Sequence, residues 1–301
     1  MAPSQTLWLK VKGGLGNQLF QYAMWKTLAK RFPEADVRLT TDKLKKGARS
    51  FDLERALGPV PTHELSWLQD RSAKYQKKIN AVLPIQIARF PHMINEEAPT
   101  GQPFNIESLH NHQDYILEGY WQRSEFHRDW IDDISARVQG ASTAFERSPE
   151  MDDLARGAIA VHVRLDDYML PQNQKVFVQL QTAYFLQGIE QLSHGEAPAR
   201  IVIFTDSPNM VLDVHPDLRR YEVVFAKDHC ADHIEEFLWM VDFRRIVTSN
   251  STFSYWASSL TGVHGEKKRI LPSSFFCSTP RNDSYRAGDF FHFTDDTLLL
   301  P

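Results

Sequence analysis

Residues 158–168 read Ala-Ile-Ala-Val-His-Val-Arg-Leu-Asp-Asp-Tyr. Ala158–Val163 is apolar except for His162, and charge follows at once, the pattern of a strand buried on both faces. In a period-two strand His162 and Arg164 point to the same face. A buried Arg needs an anionic partner. Asp166 or Asp167 supplies one within the fold; alternatively the guanidinium forks onto a diphosphate, which its planar donors suit. The same rhythm continues downstream. Strands are expected at Ile201–Thr205, Tyr221–Phe225, Arg245–Thr248 and Arg269–Leu271, with helices at Thr182–Leu192, His233–Phe243 and Phe253–Leu260. Five strands alternating with helices imply a parallel sheet covered on both faces. Ligands of such sheets sit at the carboxyl ends of the strands. The segments there are Arg164–Tyr168, Thr205-Asp206-Ser207 and Ser249–Thr252, all polar.

The N-terminal half begins in the same style. Thr6–Val11 reads as a strand, Gly13-Gly14-Leu15-Gly16 as a turn, Asn17–Arg31 as a helix stopped by Pro33, and Val37–Thr40 as a second strand. His63–Val82 reads as a charged helix, and Pro84 to Phe104, with four prolines, as irregular. Tyr115–Leu117 is a strand leading into Gly119-Tyr120-Trp121-Gln122, and a helix follows over Glu125–Val138. Gly140–Asp153 is polar, contains Pro149 and reads as a linker. The class is α/β. At roughly 150 residues per domain, 301 residues make two, divided as 1–148 and 149–301.

Composition narrows the function. Lys and Arg total 34 against 38 Asp and Glu, a net charge of −4, so a dedicated nucleic-acid binder is disfavoured. The two cysteines, Cys230 and Cys277, make neither a disulfide framework nor a Cys-x-x-Cys site, and a reducing compartment is the simpler reading. Met1–Lys12 is too short and too charged for a signal peptide or anchor, and no run of about 18 apolar residues occurs. A soluble, cytoplasmic protein without a membrane span is expected, with attachment at the inner face of a membrane compatible with it.

Gly13–Gln18 lacks the third glycine of a dinucleotide fingerprint and the Lys of a P-loop. It is either a tight turn capped by Asn17 or a place where a ligand approaches backbone amides. Ser249-Asn250-Ser251-Thr252 opens a helix, so it offers either phosphate donors or an ordinary N-cap. His229 and His233 flank Cys230 and Asp232, but Asp232 reads as the cap of the following helix rather than as a metal ligand. The chain contains no Asp-x-Asp, the usual carboxylate pair for a divalent ion on a nucleotide diphosphate. A metal-independent site is expected.

Together these segments resemble the α-1,2-fucosyltransferases. Gly13-Gly14-Leu15-Gly16-Asn17-Gln18-Leu19-Phe20-Gln21-Tyr22-Ala23 is similar to that family's N-terminal signature, and Gly119-Tyr120-Trp121-Gln122 to a second segment. His162-Val163-Arg164 resembles the start of its His-x-Arg-Arg-Gly-Asp-Tyr segment, with Leu165 in place of the second Arg and Asp166 in place of the Gly. Phe204-Thr205-Asp206 and the stretch from His233 to Ala257 complete the resemblance, in order.

The resemblance implies a GT-B-like fold of two Rossmann-like domains. The first would be the acceptor side and the second, with its parallel sheet, the GDP-sugar side. It implies an inverting transfer of L-fucose from GDP-β-L-fucose to the 2-hydroxyl of a terminal galactose of a bacterial glycan, without metal or cofactor. Arg164 would hold the β-phosphate and stabilise the leaving GDP. Ser249, Asn250, Ser251, Thr252 and Phe253 would line the phosphate site. His162 and Asp206 would face guanine, and Gly14, Asn17 and Gln18 would face the cleft. Asp167 is the candidate base. Competing readings are a different linkage or sugar, motivated by Leu165 and Asp166, and a non-catalytic glycan- or nucleotide-binding relative. Retention of Arg164, Asp206 and Ser249–Ala257 argues against the last.

Overall fold

The computed structural model describes residues 5–45, 49–71, 73, 91–96, 104–193, 200–277 and 297–301. The chain forms two compact units, Met1–Leu53 with Pro59–Trp130, and Glu54–Gly58 with Ile131–Pro301. Each is an α/β unit on a parallel sheet, as a GT-B-like fold requires.

In the first unit β1 (Thr6–Lys10) leads into α1 (Leu15–Arg31) and β2 (Asp36–Thr40). Helix α2 (Leu53–Leu57) lies at the boundary and belongs, except Leu53, to the second unit. Strands β3 (His92–Asn95) and β4 (Tyr115–Glu118) complete a sheet of order β2-β1-β4-β3, all parallel. The expectation that Pro84 to Phe104 is irregular fails at β3. Among the described residues this short edge strand is paired on one side only, and it carries polar ends, so its apolar signal is two residues long. The helix expected over His63–Val82 does not begin at His63. The His63 amide bonds to the Leu39 carbonyl of β2 at 2.8 Å, holding the chain extended, and helical residues start at 67. From 74 to 82 the expected helix lies outside the described residues.

The helix expected at Glu125–Val138 is broken into α3 (Ser124–His127), a 3-10 turn at Arg128–Trp130, and α4 (Ile131–Ser142). The break coincides with the division between units. Thr27 on α1 anchors the first piece, donating to the Phe126 carbonyl at 2.9 Å and accepting from Trp130 Nε1 at 2.8 Å. In the second piece Ser135 and Gln139 bond the Thr261 backbone at 3.0 Å each. The linker expected at Gly140–Asp153 shrinks to residues 143–148. Helix α5 (Pro149–Gly157) starts on a Ser148 cap, with Pro149 in the first turn, a start signal that outweighs the segment's polarity.

The second unit continues β5 (Ile159–Val163), α6 (Pro171–Gln174), α7 (Thr182–Ser193), β6 (Arg200–Thr205), α8 (Pro208–Val214) and β7 (Glu222–Phe225). Then come α9 (His233–Val241), β8 (Arg245–Val247), α10 (Thr252–Ser259), β9 (Lys268–Pro272) and β10 (Thr297–Leu300). The sheet order is β10-β9-β8-β5-β6-β7, all parallel. Counted within the unit this is 6-5-4-1-2-3, the doubly wound order. Ile159, Val161 and Val163 pack with Tyr184, Phe185, Ile189 and Leu192 of α7, so His162 faces the opposite side of the sheet. No helix among the described residues is long and apolar enough to cross a membrane.

The Gly13–Gln18 turn is an internal brace in the first unit. Gly13 has φ of +80°, and a Cβ there would meet the Asn17 amide at 2.7 Å. Buried Gln18 donates to the Gly13 and Ser50 carbonyls at 2.9 and 2.8 Å and accepts from the Asp52 amide at 2.9 Å. Leu in its place leaves these buried backbone groups unpaired. We expect Gln18→Leu to lower unfolding stability by on the order of 3 kcal/mol, read as a reduced urea midpoint. An unchanged midpoint contradicts the bracing role.

Candidate active site

In a doubly wound sheet, ligands bind where the strand order reverses, beyond the carboxyl ends of the two strands concerned. Here those strands are β5 and β8, paired through Ala160–Ile246 and Val161–Val247. Arg164 follows β5, and Ser249–Thr252 follows β8 into α10. Two distant sequence segments thus meet at one place.

His162 is buried, with Nδ1 2.7 Å from Ser249 Oγ and its ring stacked 5.7 Å from Phe253. Burial, reinforced by the charge of Arg164, drives its pKa down to about 3. The neutral imidazole ties β5 to the segment after β8.

Arg164 is held between two carboxylates. Its Nε and Nη2 both donate to Asp167 Oδ1, at 3.0 and 2.8 Å. Asp206 Oδ2, at the end of β6, lies 3.0 Å from the same Nε. That Nε hydrogen is directed to Asp167, so Asp206 Oδ2 is a buried acceptor without an aligned donor among the described residues. Burial opposes the guanidinium charge, but Asp206 and Asp167 outweigh it and hold the pKa above its ordinary value. The Tyr168 ring lies 5.7 Å from the guanidinium carbon, and burial raises the Tyr168 pKa. The Tyr168 hydroxyl donates to the Asn250 carbonyl at 2.8 Å.

Asp206, expected to face guanine, accepts on Oδ1 from the Leu165 amide at 3.1 Å and from Ser207 Oγ at 3.3 Å, while Oδ2 lies against Arg164. That geometry orients Arg164. The hydroxyl segment is likewise partly committed to the fold. Asn250 donates to the Val178 and Phe275 carbonyls at 2.9 and 3.0 Å. Ser251 caps α10 by accepting from the Phe253 amide at 3.3 Å. Thr252 and Phe253 are half-buried in the first turn of α10.

The second unit therefore gathers His162, Arg164, Asp167, Asp206 and Ser249–Phe253. Gly14, Asn17 and Gln18 belong to the first unit, after β1, where Asn17 Oδ1 accepts from Gln122 at 2.7 Å. Sequence reasoning missed Ser207 and the bracing role of Tyr168; the position of Ser207 directly after Asp206 at a strand end was the available signal. Leu165 is buried in the core shared with α7, and Asp166 is exposed, its amide 3.3 Å from Ser207 Oγ. Asp232 caps α9, accepting from the Ile234 and Glu235 amides at 2.9 and 3.2 Å. Among the described residues no cluster of His, Cys, Asp or Glu is arranged to hold a metal.

Residues 4–286 match the model of the family described as Glycosyl transferase family 11. The chain belongs to this family. It is 21% identical over 294 residues to the O-antigen biosynthesis glycosyltransferase WbnK of Escherichia coli, covering 90% of this chain and 95% of that one. Among solved structures it is similar to a mutant of Arabidopsis thaliana FUT1 in complex with GDP, at 11% identity and TM-score 0.46, covering 92% of this chain and 71% of that one. A second likeness is to NodZ alpha-1,6-fucosyltransferase soaked with GDP-fucose, at 12% identity and TM-score 0.43, covering 85% of this chain and 92% of that one. The family 11 chain is a glycosyltransferase, and its candidate site is one cation framed by acids at the switch point.

The buried His162 of this glycosyltransferase has a measurable consequence. In the unfolded chain an imidazole takes up a proton near its ordinary 6.5, whereas the folded one resists until about 3. Stability is therefore lost as pH falls below 6.5, by up to about 1.4 kcal/mol per pH unit. Between pH 6.5 and 5 we expect the wild type to lose about 2 kcal/mol more than His162→Gln in urea unfolding. Identical pH dependence in the two contradicts a neutral, buried His162.

Proposed function

We propose that this family 11 glycosyltransferase moves L-fucose from GDP-β-L-fucose to the 2-hydroxyl of a terminal galactose on a bacterial glycan, with inversion and without a metal. The observation that carries the mechanism is Arg164, a largely buried cation between Asp167 and Asp206 at the switch point. Donor identity and linkage rest on the family and on the sequence segments shared with the α-1,2-fucosyltransferases. A cytoplasmic location, at or away from the membrane's inner face, is part of this reading.

The diphosphate takes the place of Asp167 on Arg164, while Asp206 keeps the guanidinium in position. Thr252 and the first turn of α10 add donors for the phosphates. As the bond from C1 to the β-phosphate oxygen breaks, charge grows on the leaving GDP, and the fixed guanidinium stabilises it. The acceptor oxygen bonds to C1 from the opposite face, which inverts the anomeric centre. Its proton passes to Asp167, released from Arg164 by the same exchange. The reaction thus needs Asp167 in two states, counter-ion before the donor binds and base afterwards. The missing Asp-x-Asp motif is the reason for a metal-free mechanism, in which Arg164 takes over the neutralising role.

Turnover of GDP-fucose with lactose, followed by GDP release, is the direct test. Arg164→Ala is expected to fold and to lose on the order of a hundred- to a thousand-fold in turnover. Arg164→Lys should recover little, because a point charge cannot replace a planar fork. A loss under about tenfold, roughly 1.4 kcal/mol of barrier, removes Arg164 from the leaving-group role. Activity should persist in EDTA; abolition by chelator and restoration by manganese or magnesium overturns the metal-free mechanism. GDP should bind more tightly than UDP in calorimetry, and equal affinities remove the guanine preference.

A further inference from the structure

On the α7 side of β5, beneath the stretch 165–181, the second unit contains a pocket of about 270 Å³. Leu165 and Phe185, both part of the core shared with α7, contribute apolar wall. The polar wall includes Arg164, Gln174, Gln179, Gln181 and Thr182. The volume lies below the roughly 300–1,000 Å³ of sites that take drug-sized ligands, so it suits one sugar ring better than a nucleoside.

The walls are fixed before any ligand arrives. Tyr168 stacks on Phe177 at 4.2 Å and donates to the Asn250 carbonyl. Asn250 in turn ties down Val178 and Phe275. The Val178 amide bonds the Phe275 carbonyl at 3.2 Å, and the Cys277 amide bonds the Val176 carbonyl at 2.9 Å. A preformed site loses little order when a ligand binds.

The glutamines define the chemistry. Gln174 donates to the Met169 carbonyl at 3.0 Å, Gln179 to the Phe177 carbonyl at 3.1 Å and Gln181 to the Gln179 carbonyl at 3.1 Å. In each bond the nitrogen faces a carbonyl oxygen, which leaves Oε1 as the acceptor open to a ligand; Gln179 is half-buried, Gln174 and Gln181 exposed. Among the described residues no donor reaches the three Oε1 atoms. Burial lowers the His215 pKa, so the imidazole beside Thr182 Oγ1, at 3.0 Å, adds no positive charge. Acceptors repel a phosphate and accept from hydroxyl groups, and the wall's charged group is Arg164.

We propose that this pocket receives the sugar ring of the donor, whose hydroxyls donate to Gln174, Gln179 and Gln181 while Arg164 in the same wall holds the diphosphate. The proposal rests on the nucleotide-sugar reading above and deepens it by assigning sugar recognition to the 174–182 stretch.

The test compares GDP with GDP-fucose by calorimetry and turnover for the full chain, Gln179→Ala and Gln181→Ala. GDP affinity, which also reports folding, should stay within about twofold of wild type. The advantage of GDP-fucose over GDP should shrink, and kcat/KM should fall about tenfold, the scale of one lost hydrogen bond. A parallel loss for GDP and GDP-fucose, or no change for either, overturns the proposal. GDP-mannose and UDP-galactose are run beside GDP-fucose on the wild type. Preference for one of those sugars overturns the fucosyl reading, and the pocket is then judged on that donor. A wild type that binds every nucleotide sugar no more tightly than the bare nucleotide overturns the pocket.

Discussion

A guanidinium at the rim of a buried strand cannot stand alone, and the second unit is organised around that requirement. Arg164 follows five buried residues of β5, with its side chain 23% exposed. Removing such a charge from water costs several kcal/mol unless it is paired and hydrogen-bonded. The chain supplies two carboxylates from different elements, Asp167 from the turn after β5 and Asp206 from the end of β6. One cation with two acids leaves the cluster locally negative, and in the proposed mechanism an incoming diphosphate takes the place of Asp167 on Arg164.

The surrounding bonds hold the two acids in place around Arg164. Asp206 is pinned to the Leu165 amide and to Ser207. Asn173 holds the Asp167 carbonyl at 2.7 Å, and Tyr168 ties the same turn to Asn250. His162 joins β5 to Ser249 through a neutral imidazole. Donors fixed by such a network need little reorganisation when charge develops on a leaving group. The pocket walls use the same stitching, so the elements that orient Arg164 also shape the proposed sugar site.

The alternation of apolar strands and helices made the second unit legible, because strands buried on both faces leave an unmistakable apolar run. The doubly wound order was not legible in the alternation itself and came only with the resemblance, since pairing between β5 and β8 depends on packing across some eighty residues. Arg164 was readable as a cation in need of an anion, but either acid of the Asp166-Asp167 pair satisfied that reading. The backbone of the 3-10 turn at Asp166–Met169 decides for Asp167. Asp206 was readable only as a carboxylate at a strand end, which suits guanine as well as it suits an arginine; its contact with Arg164 needed the structure. The bracing bonds of Gln18 and Asn250 were not legible for a related reason: polar side chains beside a glycine turn or a helix start carry donors that suit a ligand and the backbone alike. Short edge elements such as β3 and β10 bury too little to mark the sequence.

The exchange of partners on Arg164 is the centre of this account, and one dissociation constant tests it. Asp167→Asn keeps the shape of the side chain and removes the charge that competes with the diphosphate. The account predicts that this variant binds GDP as tightly as wild type or several-fold more tightly in calorimetry, while its transfer activity collapses because the base is gone. GDP affinity that falls tenfold in Asp167→Asn, with the protein still folded, means that Asp167 supports the diphosphate rather than yielding to it, and contradicts the account.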